Sequence, residues 1–324
     1  MLGELIHVWN RCNGCGAEPI IGRRFECQTC PAGPDIDLCE SCYQLFLKGK
    51  LRHPASQRLT PGTRMASHLF VAVEGRPHGD SLRWLAVPQA DVLAPTIPDR
   101  FVVRPEFRCG PESYVGSCAF VVQWKNERII LTALHVLDEL IKCRGLDCTR
   151  NNKSYTGNEL PGILTDVILY DVLADHWVFA QVGTAGPMLT LPDARVGEKE
   201  PCSQRDIAAF RAAHFASSSP AKLAEGSPCI GEPIWLANIG ARRGECRTLQ
   251  AVVVDSTEET LVFRFASSEA VLRNSSGAPL LNRRGEVVGI NVGAGMYRHQ
   301  RFGHGHHVSS IRRHLDSESG AQRD

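Results

Sequence analysis

Two stretches of this chain carry residue types suited to nucleophilic attack on a carbonyl, and a third carries residues suited to metal ligation. The first is Arg273-Asn274-Ser275-Ser276-Gly277-Ala278-Pro279-Leu280-Leu281, a polar turn opening into an apolar run. A serine that attacks a carbonyl needs its Oγ exposed on a tight turn, with backbone N–H groups facing the oxygen where negative charge develops. Small residues at 277 and 278 let a substrate backbone approach closely. The second stretch is Ile129-Ile130-Leu131-Thr132-Ala133-Leu134-His135-Val136-Leu137. A serine hydroxyl is a weak nucleophile until an imidazole takes its proton and returns it to the leaving group. Of the 12 histidines, His135 is the one that follows an apolar strand-like run in this way. The third stretch holds Cys12, Cys15, Cys27, Cys30, Cys39 and Cys42 in three Cys-x-x-Cys pairs. Thiolates so spaced can chelate one Zn²⁺ from a tight knuckle. A segment this short buries too little surface to fold on its core alone, and a structural zinc supplies on the order of 10 kcal/mol.

The elements that must position these residues are mostly strands. Short apolar runs with turn signals between them recur from Cys118 to Val292, including Cys118 to Trp124, Ile163 to Tyr170, Trp177 to Val182, Ala251 to Asp255 and Glu286 to Val292. That pattern implies an all-β sandwich or barrel. Helical patches are expected from Val136 to Lys142 and from Val308 to Leu315. Prolines at 61, 77, 88, 95 and 98 break residues 59–100 into a partly ordered linker, with strand-like pieces at Leu69 to Val73 and Leu82 to Val87. The domain organisation is therefore 1–58, 59–100 and 101–324.

The chain has 324 residues, 43% hydrophobic and 22% charged, with a formal net charge of +1, which suits a globular protein with a core and gives no sign of nucleic acid as a partner. No apolar run is long enough to span a bilayer. The start lacks a basic n-region and a long apolar h-region, so no secretory signal is expected. The 13 cysteines, odd in number and irregular beyond residue 42, imply reduced thiols and a cytoplasmic setting.

The serine and histidine blocks resemble those of the chymotrypsin-like (trypsin-fold) serine peptidases over residues 101–315. Leu131-Thr132-Ala133-Leu134-His135 matches that family's histidine block, Asn274-Ser275-Ser276-Gly277-Ala278-Pro279 matches its serine block, and their order agrees. The resemblance implies a mainly β, trypsin-like double β-barrel and a Ser276–His135–Asp triad cleaving a protein or peptide substrate. It places the aspartate before an apolar strand. Asp175 in Asp175-His176-Trp177-Val178 is the best match, although Trp177 stands where a small residue is usual; Asp171 and then Asp166 follow. It implies an oxyanion hole from the backbone N–H groups of Asn274 and Ser276. Asn274 replaces a glycine where a left-handed or otherwise permissive φ is often needed, and asparagine is the next most tolerant residue. It also puts Ala270 and Asn291 at the substrate pocket, with a polar or small residue before the cut. Ser275 cannot form the ion pair that activates secreted zymogens, so control by binding or conformational change is expected. Gly303-His304-Gly305-His306-His307 falls where relatives have their last strand.

The cysteine segment resembles the ZZ-type zinc finger. The matching residues are Cys12-Asn13-Gly14-Cys15, Gly22-Arg23-Arg24-Phe25-Glu26-Cys27, Cys30 and Asp35-Ile36-Asp37-Leu38-Cys39-Glu40-Ser41-Cys42. That resemblance implies two structural zinc ions in a cross-brace. Cys12, Cys15, Cys39 and Cys42 form one site. Cys27, Cys30 and His53 form part of the second, with His68 or His7 as candidates for its fourth ligand. It also implies a recognition role for a protein partner, with Asp35 and Asp37 in an acidic pocket able to hold an N-terminal amine. The combined expectation is a cytosolic serine endopeptidase with a recognition module. The alternative is an inactive protease-like scaffold serving as a zinc-finger adaptor.

Overall fold

The structure, a computed structural model, describes residues 5–7, 10–17, 20–28, 36–51, 69–73, 76–77, 92–98, 100–137, 155–156, 160–173, 176–189, 195–196, 206–215, 220–239, 246–268, 270, 272, 274–297 and 300–321. The N-terminal module is built from short strands: β1 (Leu5–His7), β2 (Ile20–Ile21), β3 (Arg24–Cys27) and β4 (Asp37–Cys39), followed by helix α1 (Glu40–Leu47). Its small core is Cys12, Ala17, Ile20, Phe25, Cys27, Leu38, Cys42 and Phe70. The run around Leu69 to Val73 is a strand, as its β-branched and aromatic residues suggest. This strand, β5 (Phe70–Val73), pairs antiparallel with β3 through Arg24↔Val73 and Cys27↔Phe70. Phe70 meets Tyr43 and Phe46 at ring separations of 5.7 and 5.0 Å, and Tyr43 stacks on Phe25 at 3.9 Å. A two-residue strand, β6 (Arg76–Pro77), then pairs with β1. The aromatic packing thus belongs to the zinc-finger module, which extends past residue 58.

The segment of the first barrel runs through β7 (Val102–Cys109), β8 (Glu112–Val115), β9 (Ala119–Trp124), β10 (Glu127–Thr132), a 3-10 turn at Leu134–Leu137, a short strand β11 (Tyr155–Thr156), one helical turn α2 (Leu160–Ile163), β12 (Asp166–Leu173), β13 (His176–Leu189), a short strand β14 (Arg195–Val196) that pairs with β11 in a separate two-stranded sheet, β15 (Ala208–Phe215) and β16 (Ala221–Lys222). Its sheet runs β16-β9-β10-β15-β13-β12-β7-β8, and an added β9–β7 pairing closes six of these strands into a ring. The second barrel comprises β17 (Pro233–Ile239), β18 (Cys246–Ser256), β19 (Thr260–Phe265), β20 (Pro279–Leu281), β21 (Val287–Tyr297) and β22 (Gln300–His307), closed in the order β17-β18-β19-β22-β21-β20. The helix α3 (Val308–Ala321) follows directly. Strands read from alternation and β-branched runs bury one continuous apolar cluster across both barrels, from Phe101 and Phe120 to Val253, Phe263 and Ile290. The expected double barrel is present. The expected helix from Val136 begins as the 3-10 turn, and its remainder lies outside the described residues, as does Leu82 to Val87.

Candidate active site and metal centre

His135 sits in the 3-10 turn three residues beyond β10, on the first barrel. β10 pairs with β15 through Thr132↔Ala208, so the end of one strand lies beside the start of the other. Asp206 stands two residues before β15. Its Oδ2 accepts a hydrogen bond from His135 Nδ1 at 2.7 Å, and its Oδ1 accepts the His135 backbone N–H, also at 2.7 Å. Two bonds from one carboxylate fix both the ring and its backbone. Asp206 is buried. Burial alone would raise its pKa; the charge of the His135 imidazole and its hydrogen bond outweigh that and hold the carboxyl below its ordinary value. This arrangement sets the imidazole tautomer, with the proton on Nδ1 and Nε2 left as the base.

The carboxylate on His135 is therefore Asp206, where the sequence reading placed Asp175. Asp175 lies outside the described residues. The strand that follows it, β13, meets β15 near Asp206 only through its far end, at Leu189↔Ala209. Asp171 lies on β12, two strands away from β15, and pairs with Arg100 at 3.3 Å. Asp166 is exposed at the start of β12. Asp206-Ile207-Ala208-Ala209-Phe210 carries the signal that was missed, an aspartate leading an apolar strand with a small residue close behind it.

The serine turn belongs to the second barrel, just before β20. Gly277 has φ +81°. A Cβ there would collide with the Cys118 carbonyl and lie 2.5 Å from Thr132 Oγ1 and 3.1 Å from the Ala133 nitrogen, so only glycine lets the turn pack on the end of β10. This close approach brings Ser276 to the segment that carries His135. Ser276 Oγ donates to the Val292 carbonyl at 3.0 Å. Attack requires the hydroxyl to leave that acceptor and turn to the imidazole. Asn274 has φ +57°, one of the permissive conformations expected at that position. Gly277 N–H donates to Asn291 O and Ser275 N–H to Leu272 O. Among the described residues the N–H groups of Asn274 and Ser276 have no acceptor, leaving two donors for a developing oxyanion.

The two pocket residues read from the sequence do other work. Asn291 is 1% exposed, and its amide N–H groups go to Ser275 O at 2.9 Å and Ser275 Oγ at 3.2 Å. It braces the turn beneath the serine and offers a substrate no surface. Ala270 is buried in the core, with its N–H on Ser267 O.

The histidine-rich run forms β22, as the strand reading expected. His304, His306 and His307 are all but fully buried. Burial lowers their pKa values to about 3, about 4 and about 4. They are neutral in the folded protein, while the unfolded chain binds a proton below its ordinary histidine value of 6.5. Their contribution to stability is thus complete above that value and is lost as pH falls toward 4. The Asp206 contribution is lost only lower, as pH falls below its ordinary carboxyl range. Each histidine removes about 1 kcal/mol over the first pH unit below 6.5. Thermal melts at about pH 7.5 and about pH 5.5 are expected to show a lower Tm in acid, with a shallower slope for His304→Gln.

In the N-terminal module, the Sγ atoms of Cys12, Cys15, Cys39 and Cys42 all lie within 4.8 Å of one another, and Cys15 and Cys39 are 3.8 Å apart. Four sulfurs about 2.3 Å from one tetrahedral ion stand roughly 3.8 Å from each other, so the set fits zinc. The Cys39 thiol and nearby backbone N–H groups draw the Cys12 pKa down to about 4 against its burial. Hydrogen bonding to Cys12 together with burial pushes Cys39 up, and burial together with the charge of Cys12 pushes Cys42 to about 12. Four thiolates at this spacing need a cation between them. Cys27 is buried in the small core, while Cys30 and His53, with His68, lie outside the described residues. His7 is buried beside β2.

Asp37 is not an open acidic pocket. It is buried, with Oδ1 on Arg24 Nε at 2.8 Å and Oδ2 on Asn10 Nδ2 at 3.2 Å, and its N–H donates to Asn13 Oδ1. A carboxylate already neutralised and shielded from water has little to offer an ammonium. Asp35 lies outside the described residues. Calorimetry with short peptides is expected to give equal heats for free and acetylated N-termini; a clear excess for the free amine would show that Arg24 yields its place.

Two six-stranded barrels, with the imidazole and its carboxylate on one and the serine turn on the other, define the double-barrel serine peptidase class. The family described as "Trypsin-like peptidase domain" matches residues 116–290, more than half of the chain, and the chain belongs to it. The description "Zinc finger, ZZ type" matches residues 6–51. Among curated proteins, the chain is similar to "Auxin transport protein BIG" of Oryza sativa subsp. japonica, at 44% identity over 46 residues, covering 14% of this chain and 1% of that protein. It is also similar to "E3 ubiquitin-protein ligase PRT1" of Arabidopsis thaliana, at 35% identity over 63 residues, covering 19% of this chain and 15% of that protein. The chain thus spans only a small part of the length of these relatives. Among solved structures, the active form of the Rv3671c protease from M. tuberculosis has 14% identity and a TM-score of 0.40, covering 71% of this chain and 91% of that one. The serine endoprotease from Yersinia pestis has 13% identity and a TM-score of 0.41, covering 68% of this chain and 63% of that one.

Proposed function

We propose that the protein is a cytoplasmic serine endopeptidase in which Ser276 is the nucleophile, His135 the general base and Asp206 the group that orients the base. The pair of hydrogen bonds between Asp206 and His135 is the observation that carries this reading, because a buried carboxylate spent on both the ring and the backbone of one histidine has an evident use in proton transfer. Ser276 attacks the scissile carbonyl, its proton passes to His135 Nε2, and the oxyanion meets the N–H groups of Asn274 and Ser276. The protonated imidazole then returns the proton to the leaving amine, and water repeats the cycle on the acyl-enzyme.

Substrate binding by strand addition is supported by β21. β20 covers β21 only as far as Ile290, and beyond it, among the described residues, Gly293 to Met296 pair on one side alone, with β22. An extended peptide can pair with that open edge beside Ser276. The zinc-finger module serves as a protein-recognition unit. Its exposed Leu45, Leu47, Leu69 and Val71 offer apolar contact. A reducing, cytoplasmic setting is supported by a zinc centre that needs thiolates.

A fluorophosphonate probe tests the reading. Labelling is expected at Ser276, absent in Ser276→Ala and strongly slowed in His135→Ala. A folded, zinc-loaded protein that takes no label would leave the protease-like scaffold with an adaptor role.

A further inference from the structure

We propose that Cys118 is a positioning residue of the oxyanion hole, holding the serine turn of the second barrel against the first through its thiol. The inference deepens the hydrolase reading and rests on it. Cys118 lies just before β9 on the first barrel and is fully buried. Its N–H donates to Ser276 O at 2.9 Å. Its Sγ lies 3.2 Å from Asn274 O and 3.2 Å from Asn238 Oδ1. Its own carbonyl accepts Thr132 Oγ1 at 2.6 Å and forms the surface against which Gly277 packs. Asn238, Asn274, Ser276 and Gly277 all belong to the second barrel, so one residue joins the two halves of the site by side chain and backbone together.

The thiol has a specific task at Asn274. That residue is exposed and left-handed, a conformation that a non-glycine residue adopts only at a cost. The contact from Cys118 is the one hydrogen bond Asn274 makes among the described residues. Fixing its carbonyl on one side fixes the plane of the Asn274–Ser275 peptide. This restrains Asn274, whose N–H is one of the two hole donors. A thiol has a single hydrogen, shared here between Asn274 O and Asn238 Oδ1. Asn238 Oδ1 is itself held by the Ile239 N–H at 2.8 Å, so the far anchor is rigid.

The experiment compares the parent protein, Cys118→Ala and Cys118→Ser, each full-length and counted per folded molecule. It measures fluorophosphonate labelling rate, peptide kcat and KM, and Tm. Alanine keeps the backbone contacts and removes only the thiol. It is expected to lower kcat and labelling rate about tenfold, with KM within about twofold, because one hole donor is loosened without being removed. Serine restores a donor with a shorter reach and is expected to recover a large part of the lost rate. A Cys118→Ala protein that labels and turns over at the parent rate, even with a lower Tm, would overturn the proposal, as would a serine variant no better than alanine. A parent protein that takes no label would instead overturn the hydrolase reading, and this proposal with it.

Discussion

Asp206→Asn is expected to lower kcat by about four orders of magnitude, with KM and Tm little changed. The size follows from the two bonds that Asp206 makes. Its Oδ1 accepts the His135 backbone N–H, and its Oδ2 faces Nδ1. An asparagine has one oxygen and one NH₂. The backbone N–H demands the oxygen, so the NH₂ is turned toward Nδ1. The ring must then accept there and carry its proton on Nε2, where it can no longer take one from serine. A ten-thousandfold loss corresponds to about 5.5 kcal/mol of transition-state stabilisation. Asp171→Asn is the matched comparison. It breaks an ion pair with Arg100, and its effect is expected on stability, with turnover per folded molecule nearly unchanged. Active-site titration followed by single-turnover kinetics separates the two variants. An Asp206→Asn protein within tenfold of the parent would return the orienting role to another carboxylate.

Removal of zinc is expected to unfold the N-terminal module and leave the barrels standing. The module's buried cluster holds eight residues, two of them ligands. A core of that size does not sustain a fold by itself, and four-cysteine ligation supplies on the order of 10 kcal/mol or more. Chelation, or Cys39→Ser, should therefore abolish a distinct unfolding transition in calorimetry. The second transition, belonging to the barrels, and the labelling of Ser276 should persist, because none of the described catalytic contacts involves the module. Metal content adds a further reading. One zinc per chain lost in Cys39→Ser assigns it to Cys12, Cys15, Cys39 and Cys42, and a second ion surviving that substitution belongs to the site proposed around Cys27. Loss of both transitions together would show that the barrels depend on the module.

His135, Ser276 and the four-cysteine set were legible because each is announced by its immediate neighbours: an apolar strand before the histidine, glycine after the serine, Cys-x-x-Cys spacing around the metal. The left-handed Asn274 was legible too, since few other residues tolerate that turn. Asp206 was harder to find because its bond to His135 depends on which strand lies beside β10. Residues 138–205 intervene in sequence, with β12 and β13 among them, yet β15 is the neighbour. Asp37 and Asn291 show a different limit. Their types suggested binding, but the partners that occupy them, Arg24 and Ser275, become visible only once the chain is folded.

The return of β5 to β3 sets the smallest piece of this chain that could be excised as a recognition module. Cutting at residue 58, shortly after His53, would strip Phe70 from the rings of Tyr43 and Phe46. It would also bare one side of β3, with its N–H and C=O groups open to a strand from another molecule. Such a fragment could bind zinc and still be insoluble. Carrying it on through residue 77 keeps both β5 and β6, and with them the seal over that edge.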